Sequence, residues 1–215
     1  IELSKGDYAL ALAYFEKAEE LKPSSMAAVI GSSRALRSQG KLGMSMKKVS
    51  AAMSNSPESI EILRELAMIY DLMGKEELAL PLYQELVRKE PDQAESHNNL
   101  GLNHMVSGRY DDAIVSFLRA VELDDNNKKI KNNLASAYAL NGNESKALKI
   151  FTNTVGESAA HNNLGYLYMN LERWDEAEQS FHKALQLSPR HYLRAQENLD
   201  TLTELRMSAD SKTLQ

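Results

Sequence analysis

The sequence predicts an all-α protein built as a solenoid of paired helices, and three observations carry that expectation. Pro23, Pro57 and Pro91 follow one another at intervals of 34 residues, and Gly6, Gly40, Gly74, Gly108 and Gly142 keep the same interval throughout. Between these marks the apolar residues recur at helical spacing: Leu63, Leu66, Ala67, Ile69 and Tyr70 precede Gly74, and Leu78, Ala79, Leu82, Tyr83 and Leu86 follow it. Ten Gly and five Pro among 215 residues are also few for a loop-rich fold. Proline at a fixed interval stops a helix, because its ring removes a donor and clashes with the preceding turn, while glycine permits the positive φ of a tight helix–helix turn.

Each unit therefore reads as a helix of about a dozen residues, a turn containing Gly, a second helix and a stop. Residues 1–23 form a partial unit, since Gly6 is already the turn and only Ile1 to Lys5 precede it; the natural sequence is expected to continue upstream. Full units begin at about Met26, Ile60, Ala94, Lys128 and Ser158. Pro81 falls inside the second helix of its unit, where it removes one backbone bond and is expected to bend the helix. The interval from Asn133-Leu134 to Asn163-Leu164 is 30. Four residues are thus missing near Thr154–Ser158, and a shorter second helix with a local change of twist is expected there. A capping helix is expected over about 190–207, where Leu193, Leu199, Leu202 and Leu205 supply one apolar face. Beyond it, 208–215 lacks periodicity and is expected to be a mobile tail, so that 1–207 forms a single solenoid.

Composition narrows the function. No window approaches the roughly 20 uncharged apolar residues of a membrane span. A formal charge of −5 argues against a nucleic-acid partner, and the absence of cysteine removes disulfides, thiolate nucleophiles and thiolate metal sites. There is no phosphate-binding Gly loop, nucleophile elbow, zinc-binding His pair or calcium loop. Asp111-Asp112 and Asp124-Asp125 fall where carboxylates favour a helix start. No pair of histidines has a helical ligand spacing with a carboxylate to match, so neither enzymatic activity, metal nor cofactor is expected.

The motifs resemble the tetratricopeptide repeat family. Asn99-Leu100-Gly101, Gly108-Arg109-Tyr110, Ala113, Phe117 and Ala120 make one copy; Asn163-Leu164-Gly165, Tyr168, Trp174, Ala177, Phe181, Ala184 and Pro189 make another. Ala11, Phe15, Ala18 and Pro23 close the first unit, and Leu66, Tyr70, Gly74, Ala79, Tyr83 and Pro91 mark a third example. The resemblance implies a right-handed superhelix whose first helices line a concave groove, with the residue before the motif Leu pointing into it. In that frame Asn99, Asn133 and Asn163 form a ladder of amides, with Asn98, Asn132 and Asn162 beside them, and each amide offers a donor and an acceptor to an extended peptide. Arg64, Asn99 and Lys129 fall at places comparable to the carboxylate clamp of co-chaperones, although Met68 and Asn133 replace two of its residues.

The runs Lys131–Gly142 and His161–Tyr166, with the shortened spacer between them, are further similar to the TadD proteins of tight-adherence (Flp) pilus systems. That likeness implies a scaffold in the bacterial periplasm, anchored to the outer membrane by an N-terminal lipid upstream of this sequence, with the pilus secretin subunit as partner. Alternatives are the substrate-recognition domain of a larger enzyme and a cytoplasmic co-chaperone or regulatory adaptor.

Overall fold

The computed structural model describes residues 7–188 and 193–213. Among these it forms twelve α helices and no strand, and none of the helices is long and apolar enough to cross a membrane. The contacts divide the chain into two compact units, Ile1–Arg109 and Tyr110–Gln215, where the sequence reading drew one body over 1–207. Each unit has its own packing.

The first unit contains α1 (Tyr8–Leu21), α2 (Met26–Ser38), α3 (Leu42–Asn55), α4 (Ile60–Leu72), α5 (Glu76–Lys89) and α6 (Ala94–Val106). Ser25 and Ser59 cap α2 and α4 by accepting the backbone N–H of Ala28 and Ile62. The turns after α2, α4 and α6 each place a glycine in the left-handed region, with φ of 74° at Gly40, 66° at Gly74 and 72° at Gly108. One core joins Ile30, Val49, Ile62, Leu66 and Ile69; a second joins Leu63, Ala67, Ala79, Tyr83 and Leu86. Helix α5 runs unbroken through Pro81, which lies on its exposed side, so the lost backbone bond does not end the helix.

The second unit contains α7 (Tyr110–Leu123), α8 (Lys128–Leu140), α9 (Glu144–Val155), α10 (Glu157–Asn170), α11 (Trp174–Leu187) and α12 (Leu193–Thr213). Asn127 and Asn143 cap α8 and α9. Helix α9 has 12 residues where α7 and α11 have 14, and Gly156 alone, at φ 87°, links it to α10. This is where the four-residue deletion falls. The turn between α10 and α11 puts Glu172 at φ 57°, in the left-handed position that glycine holds in the other turns. One core gathers Ala135, Ala147, Phe151, Ala160, Leu164, Tyr168, Phe181 and Leu202.

Alanine and glycine let the paired helices approach closely. Ala177 and Ala184 of α11 are fully buried, and a Cβ placed on Gly165 of α10 would stand 2.7 Å from the Phe181 ring. Helix α12 continues to Thr213, beyond the end near 207 and into the stretch that the sequence reading made a mobile tail. Pro189 and the expected start of the cap near 190 lie outside the described residues.

Candidate functional site

The residue before the motif leucine occupies a constant register on the first helix of each repeat: Glu65 on α4 and Asn99 on α6 in the first unit, Asn133 on α8 and Asn163 on α10 in the second. Asn198 precedes Leu199 in the same way on α12. First helices of successive repeats touch, α2 with α4, α8 with α10 and α10 with α12, so polar groups in this register can reach the neighbouring first helix.

In the second unit the four asparagines separate into two kinds. Asn162 is 3% exposed and its Oδ1 accepts a hydrogen bond from Asn198 Nδ2 at 2.9 Å, so it is spent on the contact with α12. This departs from its expected place in the groove, and the cause is the capping helix. Asn133 and Asn163 are half-buried on adjoining helices. Asn132 is also half-buried, and its Oδ1 is shut off from solvent with no hydrogen-bond partner among the described residues. Lys129 is exposed on the first turn of α8. Burial pushes the His161 imidazole below its ordinary value, with Glu157 opposing the shift, as befits a packing residue.

In the first unit Asn98 and Asn99 are both half-buried, and Asn98 Nδ2 donates to Asn99 Oδ1 at 3.4 Å. Arg64 does not stand free for a ligand carboxylate. Its Nη2 donates to Glu90 Oε2 at 2.6 Å, the same oxygen that accepts Ser96 Oγ at 2.8 Å, and so ties α4 to the start of α6. A clamp built on Arg64 is therefore already occupied from within the chain.

Sequence reasoning missed two buried polar centres of this unit. Glu65 is 3% exposed; its carboxylate accepts Ser33 Oγ at 2.9 Å, Arg37 Nε at 3.3 Å and Arg34 Nε at 3.4 Å. Ser33 in turn meets Ser45 of α3 at 2.7 Å. The signal was present, because Glu65 stands 34 residues before Asn99 and directly before Leu66. Asn103, 1% exposed, donates to Asp71 Oδ1 at 2.8 Å and to the Glu76 carbonyl at 3.1 Å. It replaces an apolar residue in register, Ile69 one repeat earlier and Ala137 one repeat later. Burial, and then the adjacent Asp71 carboxylate, push the Tyr83 phenol up.

A cleft of about 970 Å³ opens between α1 and α3 over α2, with Met26, Val29, Met44 and Ala52 among its lining. A smaller hollow of about 330 Å³ lies in the corresponding place between α7 and α9 over α8, where Lys128 and Lys131 stand 102 residues after Met26 and Val29. Lys131 is paired there with Asp125 at 2.8 Å. No group of three His, Asp or Glu residues that could hold a metal ion occurs among the described residues.

Models of the tetratricopeptide repeat match residues 1–60, 61–92, 94–127 and 158–191. No curated protein matches the sequence. Among solved structures, the APC/C hetero-tetramer Cut9-Hcn1 resembles this chain with a TM-score of 0.69 at 15% identity, over 94% of this chain and 41% of the other. This chain thus spans well under half the length of that one. MamA from Desulfovibrio magneticus RS-1 gives 0.65 at 18% identity over 74% of this chain and 89% of its own. YrrB, described as a TPR protein with an unusual peptide-binding site, gives 0.61 at 20% identity over 85% and 96%. At these identities the likeness is one of fold. Four repeat models spread along the sequence and helix pairs that turn on left-handed residues agree: the chain belongs to the tetratricopeptide repeat family, a scaffold for protein–protein interaction.

Proposed function

We propose that the chain holds an extended segment of a protein partner against its first helices, with the backbone of that segment hydrogen-bonded to asparagine amides. The observation that carries this reading is in the second unit. Asn132 has a desolvated oxygen without a donor among the described residues, next to the half-buried amide of Asn133 on α8, and α8 touches α10, which carries Asn163. A buried acceptor left unpaired costs about 1–3 kcal/mol, and turning the side chain outward to meet a ligand N–H would recover that cost. Each asparagine can give one donor and one acceptor, which is the pairing an extended backbone offers. Asn99 presents the same group in the first unit.

The finer reading assigns the segment to the secretin subunit of a tight-adherence pilus and the scaffold to the bacterial periplasm, at the outer membrane. The runs Lys131–Gly142 and His161–Tyr166 and the 30-residue interval support it through their likeness to TadD proteins. Overlapping peptides spanning such a secretin subunit, titrated against the chain and followed by hydrogen–deuterium exchange, test both levels. Binding with new protection on α8 and α10 is expected. Binding that protects only other helices refutes the asparagine site, and a secretin series in which no peptide binds refutes the partner.

A further inference from the structure

We propose that the first unit carries a carboxylate-binding site formed by Arg34 and Arg37 of α2, set in place by the buried Glu65 of α4, and that it takes an acidic side chain of a partner segment lying against the first helices of that unit. The proposal rests on the groove reading above and adds the chemistry of the partner: an Asp or Glu within it.

An ionised carboxylate at 3% exposure has to be compensated, and Glu65 is met by three donors, all from α2. Arg34 and Arg37 each spend only the Nε–H on it. No other acceptor among the described residues bonds either guanidinium, so of the five N–H groups on each, four remain for a ligand. Two cations face one carboxylate, which leaves an excess positive charge at the site. Asp71, further along α4, keeps its charge while Asn103 and Tyr83 donate to it, but among the described residues it forms no ion pair with either arginine, so its oxygens do not occupy the guanidinium forks. A guanidinium keeps its charge at any working pH and presents a planar fork suited to a second carboxylate. Arg34 is 53% exposed and Arg37 23%, so the pair runs from the protein interior to solvent.

Holding the Nε edges from behind fixes the direction of both forks and removes part of the ordering cost of binding. The basic group expected from sequence, Arg64, is neutralised by Glu90; the guanidiniums left available lie one first helix earlier. Glu65 shares the register of Asn99, and the arginines stand three and six residues beyond the α2 position of that register, Gly31, on the same first helix.

A positional-scanning library of octapeptides, acetylated and amidated at their ends, tests this against the full chain. Wild type should enrich Asp or Glu at one position of the best binder, and changing that residue to Gln or Asn should weaken binding tenfold or more. Arg34→Gln should abolish that discrimination while the melting curve stays close to wild type; Arg34→Lys, which keeps charge without the fork, should fall between. Equal binding of acidic and amide peptides, discrimination that survives in Arg34→Gln, or no binding by any pool at millimolar concentration would overturn the proposal. Binding confined to free-acid peptides would overturn the side-chain assignment in favour of a chain terminus. The same library run on Asn99→Ala, in the same unit as the arginines, separates the two readings: acid preference with unaltered affinity sinks the amide contact there and leaves the arginine site standing.

Discussion

Gly165→Ala makes the close packing of α10 and α11 measurable. A methyl at this position would stand 2.7 Å from both Cδ1 and Cε1 of Phe181 and 3.1 Å from the Ala177 carbonyl oxygen. Carbon atoms rest at about 3.5–4.0 Å, so the contact is too short by roughly 1 Å. Phe181 is fully buried in the core of its unit, so its ring can retreat only by displacing its neighbours. The helices have to move apart. Overpacking of this kind costs about 1–3 kcal/mol, while replacing Gly by Ala inside a helix returns about 1 kcal/mol. The net loss is up to about 2 kcal/mol, which for a chain of this size lowers Tm by roughly 4–8 °C. Gly43→Ala on α3 is the control, since nothing lies within 4 Å of its added Cβ, and it should leave Tm unchanged or raise it by a few degrees. Thermal melts followed by circular dichroism decide the matter. A Gly165→Ala variant that gains stability, as an unhindered Gly-to-Ala change inside a helix does, would refute the packing argument.

Three further outcomes follow from other sites. Glu172→Gly relieves the left-handed residue in the α10–α11 turn; the strain of about 1–2 kcal/mol is partly offset by glycine's greater freedom in the unfolded chain. Tm should therefore rise by a few degrees, and a fall would contradict the strain. Asn103→Ala removes a charge-assisted and a neutral hydrogen bond from a buried site, offset in part because its own Oδ1 is buried without a partner among the described residues, and should cost about 1–3 kcal/mol in urea unfolding; a variant as stable as wild type would mean that the bridge contributes nothing net. His161 has a folded pKa held below its ordinary 6.5 by burial, so the unfolded chain binds the proton more readily. Its contribution is complete above pH 6.5 and is lost as pH falls through the folded value, and His161→Gln should flatten the decline in stability between pH 7.5 and pH 5. An unchanged pH profile in that variant would remove His161 as its source.

Much of the fold was legible because its punctuation is local. Helices α2, α4, α6 and α8 start at Met26, Ile60, Ala94 and Lys128, positions that proline, the capping Ser or Asn, and the 34-residue interval mark within a few residues of each boundary. The shortened α9 likewise followed from counting. The candidate site was only half legible, because what happens to a polar side chain depends on partners far away in sequence. Asn162 and Asn163 are neighbours with different fates, since Asn198, 36 residues on, takes only the first. Arg64 reads as a free cation until Glu90 is placed beside it, and Glu65 reads as a surface carboxylate until α2 supplies Ser33, Arg34 and Arg37. The division into two compact units rests on the distribution of contacts, which an unbroken repeat pattern does not report.

The central claim is that asparagine amides on the first helices hold the backbone of a partner segment. Calorimetric titration of a binding segment into wild type and into Asn133→Ala/Asn163→Ala measures it directly. With one hydrogen bond of about 1 kcal/mol lost at each position, the double variant should bind at least tenfold more weakly at a temperature where both proteins are fully folded. Equal affinity in the two proteins would contradict the account.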